Sequence, residues 1–327
     1  MNMFQIFARR WEFVTGAIIV IFFILVSFAA PILAPRVHAA GEATGTTSDY
    51  RTVGTTRVKL PTPPGELAVL GTTGNRWDVF YTLIWGTRDA LNFGVVVAGC
   101  SALLGIALGL LGGTYGGWVH RLIMRITDGF LTFPLIAAIL ITYSMRSQAM
   151  NMLLANIPPE SYYDPMFVAP ALPWYLNALL STEFTFIVFS WMPYARITDA
   201  LALRLRSSEF IEASTAVGSS RITILLRHIL PNVVSPSIVL LSRDIGGVVL
   251  TQAALTFINF GGSHISLWGT LLDAGRDYIM GVKGNPFEYW WVFVPVSLMI
   301  ILFGVGWSLL GDGLNDLLNP RKRSLKV

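Results

Sequence analysis

EASTAVGSSRITILLRHILPN, residues 212–232, is a charged segment that separates two long apolar runs of the chain. Residues 209–217 are good helix formers, and Gly218 can adopt the left-handed conformation that ends a helix. Ser219 or Ser220 can cap a second helix, which we expect to continue until Pro231 interrupts the backbone hydrogen bonds. The pattern predicts two short helices that form a compact projection. Residues 209–232 are called the knob below.

The composition around the knob is that of a membrane protein. The 327 residues are 54% hydrophobic and 13% charged, with a mean hydropathy of +0.60, whereas soluble domains carry about 25% charged residues. The basic residues lie between apolar runs and form no stripe of the kind that binds nucleic acid. The single cysteine, Cys100, excludes a disulfide framework and a cysteine-based metal site within the chain.

Six apolar runs have about the length that a bilayer requires. Their cores lie near 13–34, 91–114, 127–145, 174–195, 235–257 and 290–311. The first run follows two arginines, as in a signal peptide, but it is longer than the 7–15 apolar residues of a signal. We therefore expect an uncleaved first span. The fold class predicted is an all-α integral membrane protein with about six transmembrane helices.

The distribution of lysine and arginine predicts the orientation. The runs of basic residues near 9–10, 121–125, 196–227 and 321–326 share one side, which the positive-inside rule makes cytoplasmic, together with both termini. The long first outer loop also carries basic residues, but long loops translocate largely regardless of charge. We divide the chain into a tail with the first helix (1–35), an extracytoplasmic loop (36–87), a transmembrane domain (88–312) and a basic cytoplasmic tail (313–327). Residues 147–173 and 258–288 are expected to form further outer loops.

Small residues recur every four positions in the second span. They are Ser101, Gly105, Gly109, Gly113 and Gly117. Small residues at this spacing let two helix backbones approach closely within a membrane. Glycine is also common in membrane helices in general, but the shared register favours helix packing. The partner helix could belong to this chain or to another.

The chain lacks the motifs of an enzyme. It contains no Gly-x-x-x-x-Gly-Lys-Ser/Thr phosphate loop, and its four histidines show no metal-ligand spacing. We therefore expect no catalytic residue, no bound metal and no cofactor in this chain. If it drives transport, the energy comes from a partner protein or from an ion gradient.

The knob resembles the EAA loop of the permeases of bacterial ABC importers. That pattern is Glu-Ala-Ala, three residues, Gly, nine residues and Ile-x-Leu-Pro, and this chain matches it at Glu212, Ala213, Gly218, Leu230 and Pro231. Ser214 replaces the second alanine, and His228 stands where the pattern has isoleucine. The resemblance implies that the loop, about 207–232, docks into a groove of an ATPase. The residues given this coupling role are Glu212, Ala213, Ser214, Gly218, Arg221, Arg227, His228 and Pro231.

Other segments resemble the dipeptide/oligopeptide (peptide/nickel) branch of that family, in particular its C-type subunit. The matching segments include Arg125 to Pro134, Thr256 to Arg276, and Leu310-Gly311-Asp312-Gly313-Leu314 near the C-terminus. The outer segment before the second span departs from the family at Thr73, Arg76 and Trp77. The resemblance covers roughly residues 70–323 and implies a type I ABC importer permease bundle.

Two adjacent charges, Arg243 and Asp244, fall within the fifth span. Charged residues in a membrane are costly and rarely face lipid. They could line the translocation path, together with Gln252 and Asn259, or they could pair with each other or with neighbouring helices and stabilise the bundle. The sequence leaves both interpretations open.

The resemblance also implies partners. They are a second permease subunit that completes a heterodimeric pore, two ABC ATPases that bind ATP and Mg, and an extracytoplasmic solute-binding protein, all at a prokaryotic cell membrane. Peptides are the expected substrate, while nickel or oligosaccharides are alternatives within the same architecture. An ion-coupled secondary carrier is a further alternative, but it predicts internal inverted repeats that the sequence does not show.

Overall fold

The computed structural model describes residues 11–35, 51–53, 60–66, 68–155, 157–158, 171–258 and 266–318. Within these ranges the chain is helical, and the only β pairings are two isolated bridges, Thr52 with Trp77 and Thr72 with Asp78. The described residues contain twelve α-helices, which are α1 Trp11–Leu33, α2 Val79–Tyr115, α3 Gly117–Thr132, α4 Leu135–Leu154, α5 Trp174–Leu179, α6 Thr182–Ser190, α7 Met192–Arg206, α8 Glu209–Ala216, α9 Arg221–Ile224, α10 Leu230–Phe257, α11 Leu267–Ile279 and α12 Val294–Leu318. A π-helical turn, Leu225–Ile229, joins α9 to α10, and a 3₁₀ helix, Pro286–Val292, precedes α12.

Four of the described helical segments are long and apolar enough to cross a membrane. They are α1, α2, the continuous segment Arg221–Phe257 and Val294–Leu317, and a fifth span exists if α3 and α4 together count as one. These two helices bend by 79° at Phe133 and Pro134, within the single span expected at 127–145. Proline cannot donate the backbone hydrogen bond that would continue α3, so α4 begins after it.

The expected fourth span, 174–195, is divided among three helices. Ser181 separates α5 from α6, because its side chain accepts a hydrogen bond from the Phe184 amide (3.1 Å) and so starts a new helix. Pro193 lies in the first turn of α7, where its missing N–H costs nothing. The second span, by contrast, is longer than expected. Helix α2 begins at Val79, inside the predicted outer loop 36–87, because Asp78 caps it through the Tyr81 amide (3.2 Å).

The core of the bundle lies where α1, α2, α10, α11 and α12 meet. Three fully buried aromatic rings form its centre, with Phe23 at 5.1 Å from Phe303 and Trp268 at 5.7 Å from Phe303, all edge to face. The Trp268 indole N–H donates to the Leu83 carbonyl (3.2 Å), so that its polar group is paired inside the core. This cluster fixes the N-terminal and C-terminal helices against the middle of the chain.

Helices α2 and α7 pack along a line of glycines, called the glycine seam (Gly105, Gly109 and Gly113). A Cβ atom added to Gly109 would lie 2.5 Å from the Ala195 carbonyl oxygen, and one added to Gly113 would lie 2.5 Å from the Ala202 side chain. The partner helix of the predicted small-residue register therefore belongs to this chain.

Gly117 does not belong to the seam, in contrast to the expectation from spacing. Helix α2 ends at Tyr115, and Gly116 has a φ of +66°, so the chain turns before Gly117 begins α3. A Cβ on Gly117 would meet nothing within 4 Å. The four-residue register continues in the sequence after the helix that carries it has ended.

Candidate coupling site

The first half of the knob is helix α8. It follows Ser208, whose backbone is extended, and carries Glu209 and Glu212 in its first turn, where carboxylates interact favourably with the helix dipole. Ile211 is the only residue of α8 that is buried. Of its other residues, Ser214 is half-buried and the rest are exposed.

The turn of the knob is held by backbone conformation and by one serine pair. Gly218 has a φ of +90°, and its N–H donates to the Thr215 carbonyl (2.9 Å). The Ser214 hydroxyl donates to the Ser219 hydroxyl across the turn (3.0 Å). Ser214 thus adds a hydrogen bond that the alanine of the general pattern could not make.

The second half of the knob differs from the expectation at Pro231. Of the two candidate caps, Ser220 accepts the hydrogen bond from the Thr223 amide (3.2 Å) and starts α9. The expected end of this helix at Pro231 is wrong, since Arg221–Phe257 is continuous. The Leu230 N–H donates to the Leu225 carbonyl, five residues back, and this π turn shifts the hydrogen-bond pattern just before the proline. The knob is therefore joined rigidly to the span α10.

A small apolar cluster anchors the knob to the bundle. Ile211, Ile224 and Ile229 are buried in it, at exposures of 4%, 7% and 0%. They pack with residues at the end of α2, in α7 and in α10, namely Leu110, Ala202 and Val233. The knob is thus fixed on its inner side and free on its outer side.

The outer side of the knob carries large apolar side chains that sequence reasoning did not single out. Phe210, Val217, Ile222 and Leu226 are 48%, 89%, 63% and 55% exposed. Exposed apolar groups clustered on a projection are typical of a protein-binding surface. The sequence does place apolar residues next to Ile211 and Ile224. Because these two isoleucines are buried, their apolar neighbours lie on other faces of the short helices and are exposed.

The predicted coupling residues lie around this apolar surface. Glu212, Ala213, Gly218, Arg221, Arg227 and Pro231 are exposed, and Ser214 and His228 are half-buried. The His228 ring lies 6.3 Å from the Phe210 ring. The structure therefore brings together, on one projection, every residue to which the sequence assigned a coupling role.

The intramembrane charges separate into two environments. Arg243 forms an ion pair with Asp312 of α12, so it contacts a neighbouring helix. Asp244 is half-buried and lies close to the buried hydroxyl of Tyr194 in α7, without hydrogen-bond geometry. Gln252 is 1% exposed in the same helix, and Asn259 lies outside the described residues.

A histidine–carboxylate hydrogen bond joins the ends of the helices on the side of the knob. His120 Nδ1 of α3 lies 2.9 Å from Asp199 Oδ1 of α7, and Asp199 is 4% exposed. Gly112 leaves the space that the carboxylate occupies, since a Cβ there would lie 2.8 Å from Asp199 Oδ1. This contact holds α2, α3 and α7 together near the knob.

Comparison with known proteins gives these features a family. Residues 105–324, which include the knob, match the family described as "Binding-protein-dependent transport system inner membrane component". The chain is 30% identical over 309 residues to the probable D,D-dipeptide transport system permease protein DdpC of Escherichia coli (strain K12), covering 94% of this chain and 87% of that protein.

Two further relatives support the same assignment. Glutathione transport system permease protein GsiD of Pectobacterium atrosepticum is 31% identical over 269 residues, covering 81% of this chain and 77% of that protein. Dipeptide transport system permease protein DppC of Alkalihalophilus pseudofirmus is 29% identical over 312 residues, covering 95% and 86%. The helical bundle with several apolar spans is the type I ABC permease fold of this family. The chain belongs to the inner membrane components of binding-protein-dependent transport systems.

Proposed function

We propose that this chain forms half of the translocation pore of an ATP-driven peptide importer and that the knob couples it to an ATPase. The observation that carries this proposal is the projection itself, which is anchored by buried isoleucines and bears exposed apolar and charged side chains. Large apolar side chains on a projection into water are favoured where a partner protein covers them.

The exposed side chains suggest how the ATPase docks. Val217 and Ile222 flank the turn and would enter an apolar groove, where buried apolar anchors contribute most of an interface's binding energy. Glu212, Arg221 and Arg227 surround them and have no ion-pair partner within the described part of the chain. They would orient the knob in the groove by contacts with opposite charges.

The rigid connection of the knob to α10 suggests how force is transmitted. Because Arg221–Phe257 is one continuous segment, a displacement of the knob moves the span that carries Asp244 and Gln252. ATP binding would close two ATPases, draw the knobs of two permease subunits together and open the pore outward. ATP and Mg would be bound by the ATPases, and both termini of this chain would be cytoplasmic.

Asp244 and Gln252 are the proposed pathway groups in this chain. Asp244 lies beside Tyr194, and Gln252 is buried at an interhelical position. The half-buried Asp244 carboxylate would interact with the ammonium end of a peptide, whereas Gln252, at 1% exposed, would reach a peptide only when the surrounding helices separate. Arg243 is assigned a structural role instead, because its ion pair with Asp312 ties α10 to α12.

The peptide substrate is inferred from the relatives, whose names refer to D,D-dipeptide, glutathione and dipeptide transport. An extracytoplasmic binding protein would deliver it, and a second, different permease subunit would complete the pore. Nickel or oligosaccharides are the alternative cargo for the same architecture.

Uptake by the reconstituted complex tests this function. The permease pair, its ATPases and its binding protein are placed in proteoliposomes, and the uptake of labelled dipeptides, oligopeptides, sugars and nickel is compared with and without ATP. We expect ATP-dependent peptide uptake that Val217→Asp abolishes. Uptake that persists without ATP would support an ion-coupled carrier and contradict the proposal.

A further inference from the structure

The turn between α2 and α3 carries exposed aromatic rings at one end of a membrane span. Helix α2 ends at Tyr115, and the next two residues, Gly116 and Gly117, have positive φ values of +66° and +58°. Tyr115 and Trp118, on the two sides of this glycine turn, are 39% and 67% exposed. The glycine turn lies on the same side of the bundle as the knob, since Leu110, just before it, belongs to the cluster that anchors the knob.

An exposed stripe along α2 leads to the glycine turn. Its side chains are three or four positions apart and none is charged, and they are Val96, Cys100, Leu103, Ala107, Leu111 and Tyr115. Because adjacent residues of an α-helix are about 100° apart, this stripe lies on the face of α2 opposite to the glycine seam. Charged residues rarely face lipid, so an exposed stripe without them is typical of a lipid contact. We therefore expect Tyr115 and Trp118 to lie where the lipid chains meet the head groups, a level at which both residue types are enriched.

Two guanidinium groups from different helices lie at the glycine turn. Arg121 of α3 donates from Nε to the Gly117 carbonyl (3.4 Å). Arg206, the last residue of α7, has its Nη1 atom 2.5 Å from the position of a Cβ added to Gly116. A side chain at position 116 would displace this guanidinium, so the glycine leaves the space that Arg206 occupies. The glycine turn thus brings two cations together.

The two guanidinium groups are not neutralised by the protein. Arg121 and Arg206 are exposed, and neither forms an ion pair within the described residues. Asp199 lies close by, at Gly112, but its carboxylate is 4% exposed and is bonded to His120 Nδ1 (2.9 Å). Two unpaired cations at the end of a lipid-facing stripe attract an anionic head group.

We propose that the glycine turn, with Arg121 and Arg206, binds the phosphate of an anionic phospholipid in the leaflet on the side of the knob. Guanidinium groups bind phosphate oxygens through paired N–H donors, and basic pockets between membrane helices bind acidic head groups. Tyr115 and Trp118 would contact the glycerol region of the lipid. The apolar stripe of α2 is continuous with the glycine turn and would contact the chains of the same molecule, which favours a phospholipid over free phosphate.

A bound phosphate would link the α2–α3 turn to the base of the knob. Arg206 ends α7, and helix α8 of the knob begins only three residues later, at Glu209. The phosphate would therefore hold the end of α7 against the glycine turn, beside the bond between His120 and Asp199. The lipid site depends on the membrane bundle alone, so it is independent of the proposed docking of the knob on an ATPase.

Photolabelling of the purified permease complex in nanodiscs tests this site. The nanodiscs contain phosphatidylcholine and a small fraction of photoactivatable phosphatidylglycerol, and the labelled positions are mapped by mass spectrometry. We expect labelling within residues 111–121 that added phosphatidylglycerol suppresses and added phosphatidylcholine does not. Arg121→Gln and Arg206→Gln should each lower this labelling about fivefold, the factor expected for one basic residue near an anionic membrane surface.

Arg204→Gln is the matched control. Arg204 is also an exposed arginine in the last turn of α7 without an ion pair in the described part of the chain, but it lies about 160° around the helix from Arg206. This variant removes the same charge and should be labelled like the parent. Thermal unfolding in phosphatidylcholine alone checks that all variants are folded. Added phosphatidylglycerol should raise the unfolding temperature of the parent and of Arg204→Gln, but not that of Arg206→Gln.

Four results would overturn the inference. Equal suppression by phosphatidylcholine would show that the head group is not recognised, and equal labelling of the parent, Arg121→Gln and Arg206→Gln would show that these arginines do not bind it. An equal loss in Arg204→Gln would reduce the effect to general surface charge. If a photoactivatable group at Trp118→Cys reacts with a second permease subunit and not with lipid, protein covers this face and the lipid site is rejected. Failure of the knob to bind an ATPase, with lipid labelling intact, would contradict the proposed function alone.

Discussion

The glycine seam and the knob both depend on glycine, but for opposite reasons. At Gly109 an added Cβ would lie 2.5 Å from the Ala195 carbonyl, whereas at Gly218 it would meet nothing within 4 Å. Gly218 is required instead by its φ of +90°. In the bundle, glycine removes a side chain so that two backbones can touch. In the knob, glycine permits a turn that leaves the surrounding side chains free for a partner protein.

The largest effect is expected from filling the seam. Gly109→Ala should destabilise the permease by at least about 1–3 kcal/mol, because the new Cβ meets the α7 backbone and not the end of a side chain that can move aside. The measurement is thermal unfolding of the purified complex in nanodiscs. Gly99→Ala is the control in the same helix, since a Cβ there meets nothing within 4 Å. Equal stability of the two variants would show that the seam is not tightly packed.

A smaller effect is expected at the turn of the knob. Gly218→Ala should cost about 1–2 kcal/mol, because a left-handed conformation is strained for alanine. Gly218→Asn should cost less, since asparagine tolerates that conformation. ATP-dependent uptake and thermal unfolding are measured for both variants. If Gly218→Ala affected neither, the left-handed turn would not be what positions the knob.

A double-mutant cycle on Arg243 and Asp312 sharpens the separation between structural and pathway charges. Both side chains are more than one third exposed, at 55% and 39%, so we expect a coupling energy of about 1 kcal/mol or less. Arg243→Gln and Asp312→Asn should each leave the ratio of peptide to sugar uptake unchanged. If the ratio of peptide to sugar uptake changed in Arg243→Gln but not in Asp312→Asn, Arg243 would line the translocation path.

The smallest effect is expected at an exposed pair outside both regions. Lys283 lies 2.7 Å from Asp277, and its ammonium lowers the pKa of the Asp277 carboxyl, while the carboxylate raises the pKa of Lys283. A carboxyl group whose pKa is lowered by folding stabilises the folded state at pH values above its unfolded pKa of about 4. This stabilisation is lost as the pH falls through the folded pKa. A lysine whose pKa is raised by folding stabilises the folded state at pH values below its unfolded pKa of about 10.4. This stabilisation is lost as the pH rises through the folded pKa. The contribution of the pair is therefore fully present between about pH 5 and pH 9, but both side chains are more than one third exposed, at 57% and 43%, so that it is small. Within this range Lys283→Met should unfold like the parent to within measurement error. A clear difference near pH 7 would show that this outer turn matters more than its exposure suggests.

Local signals in the sequence were sufficient to predict the turn of the knob and the glycine seam. Gly218 and Ser220 act through bonds to residues within five positions, and the glycines at 105, 109 and 113 lie on one helix face by spacing alone. These features depend only on neighbouring residues. Family membership, which makes the chain a multi-pass permease component and not an enzyme, also follows from motifs of this kind.

Features that depend on tertiary partners were not predictable in the same way. Proline normally ends a helix, but a π turn precedes Pro231 and the helical segment continues; Ile224 and Ile229, on either side of this turn's start, are buried against residues distant in the sequence. Arg243 and Asp244 are adjacent in the sequence, yet they face Asp312 and Tyr194 on different helices. Adjacent side chains leave a helix about 100° apart around its axis, so these two neighbours contact different helices.

Site-specific crosslinking tests most directly the claim that the knob docks on an ATPase. Cys100, the chain's single cysteine, is replaced by alanine, and one cysteine is introduced by Val217→Cys, at a side chain that is 89% exposed. Met280→Cys, at a side chain 67% exposed in the predicted outer loop, is the matched control. With a photoactivatable maleimide on the assembled complex, we predict a covalent ATPase adduct from position 217 and none from position 280. An adduct from position 280, or none from position 217, would contradict the account.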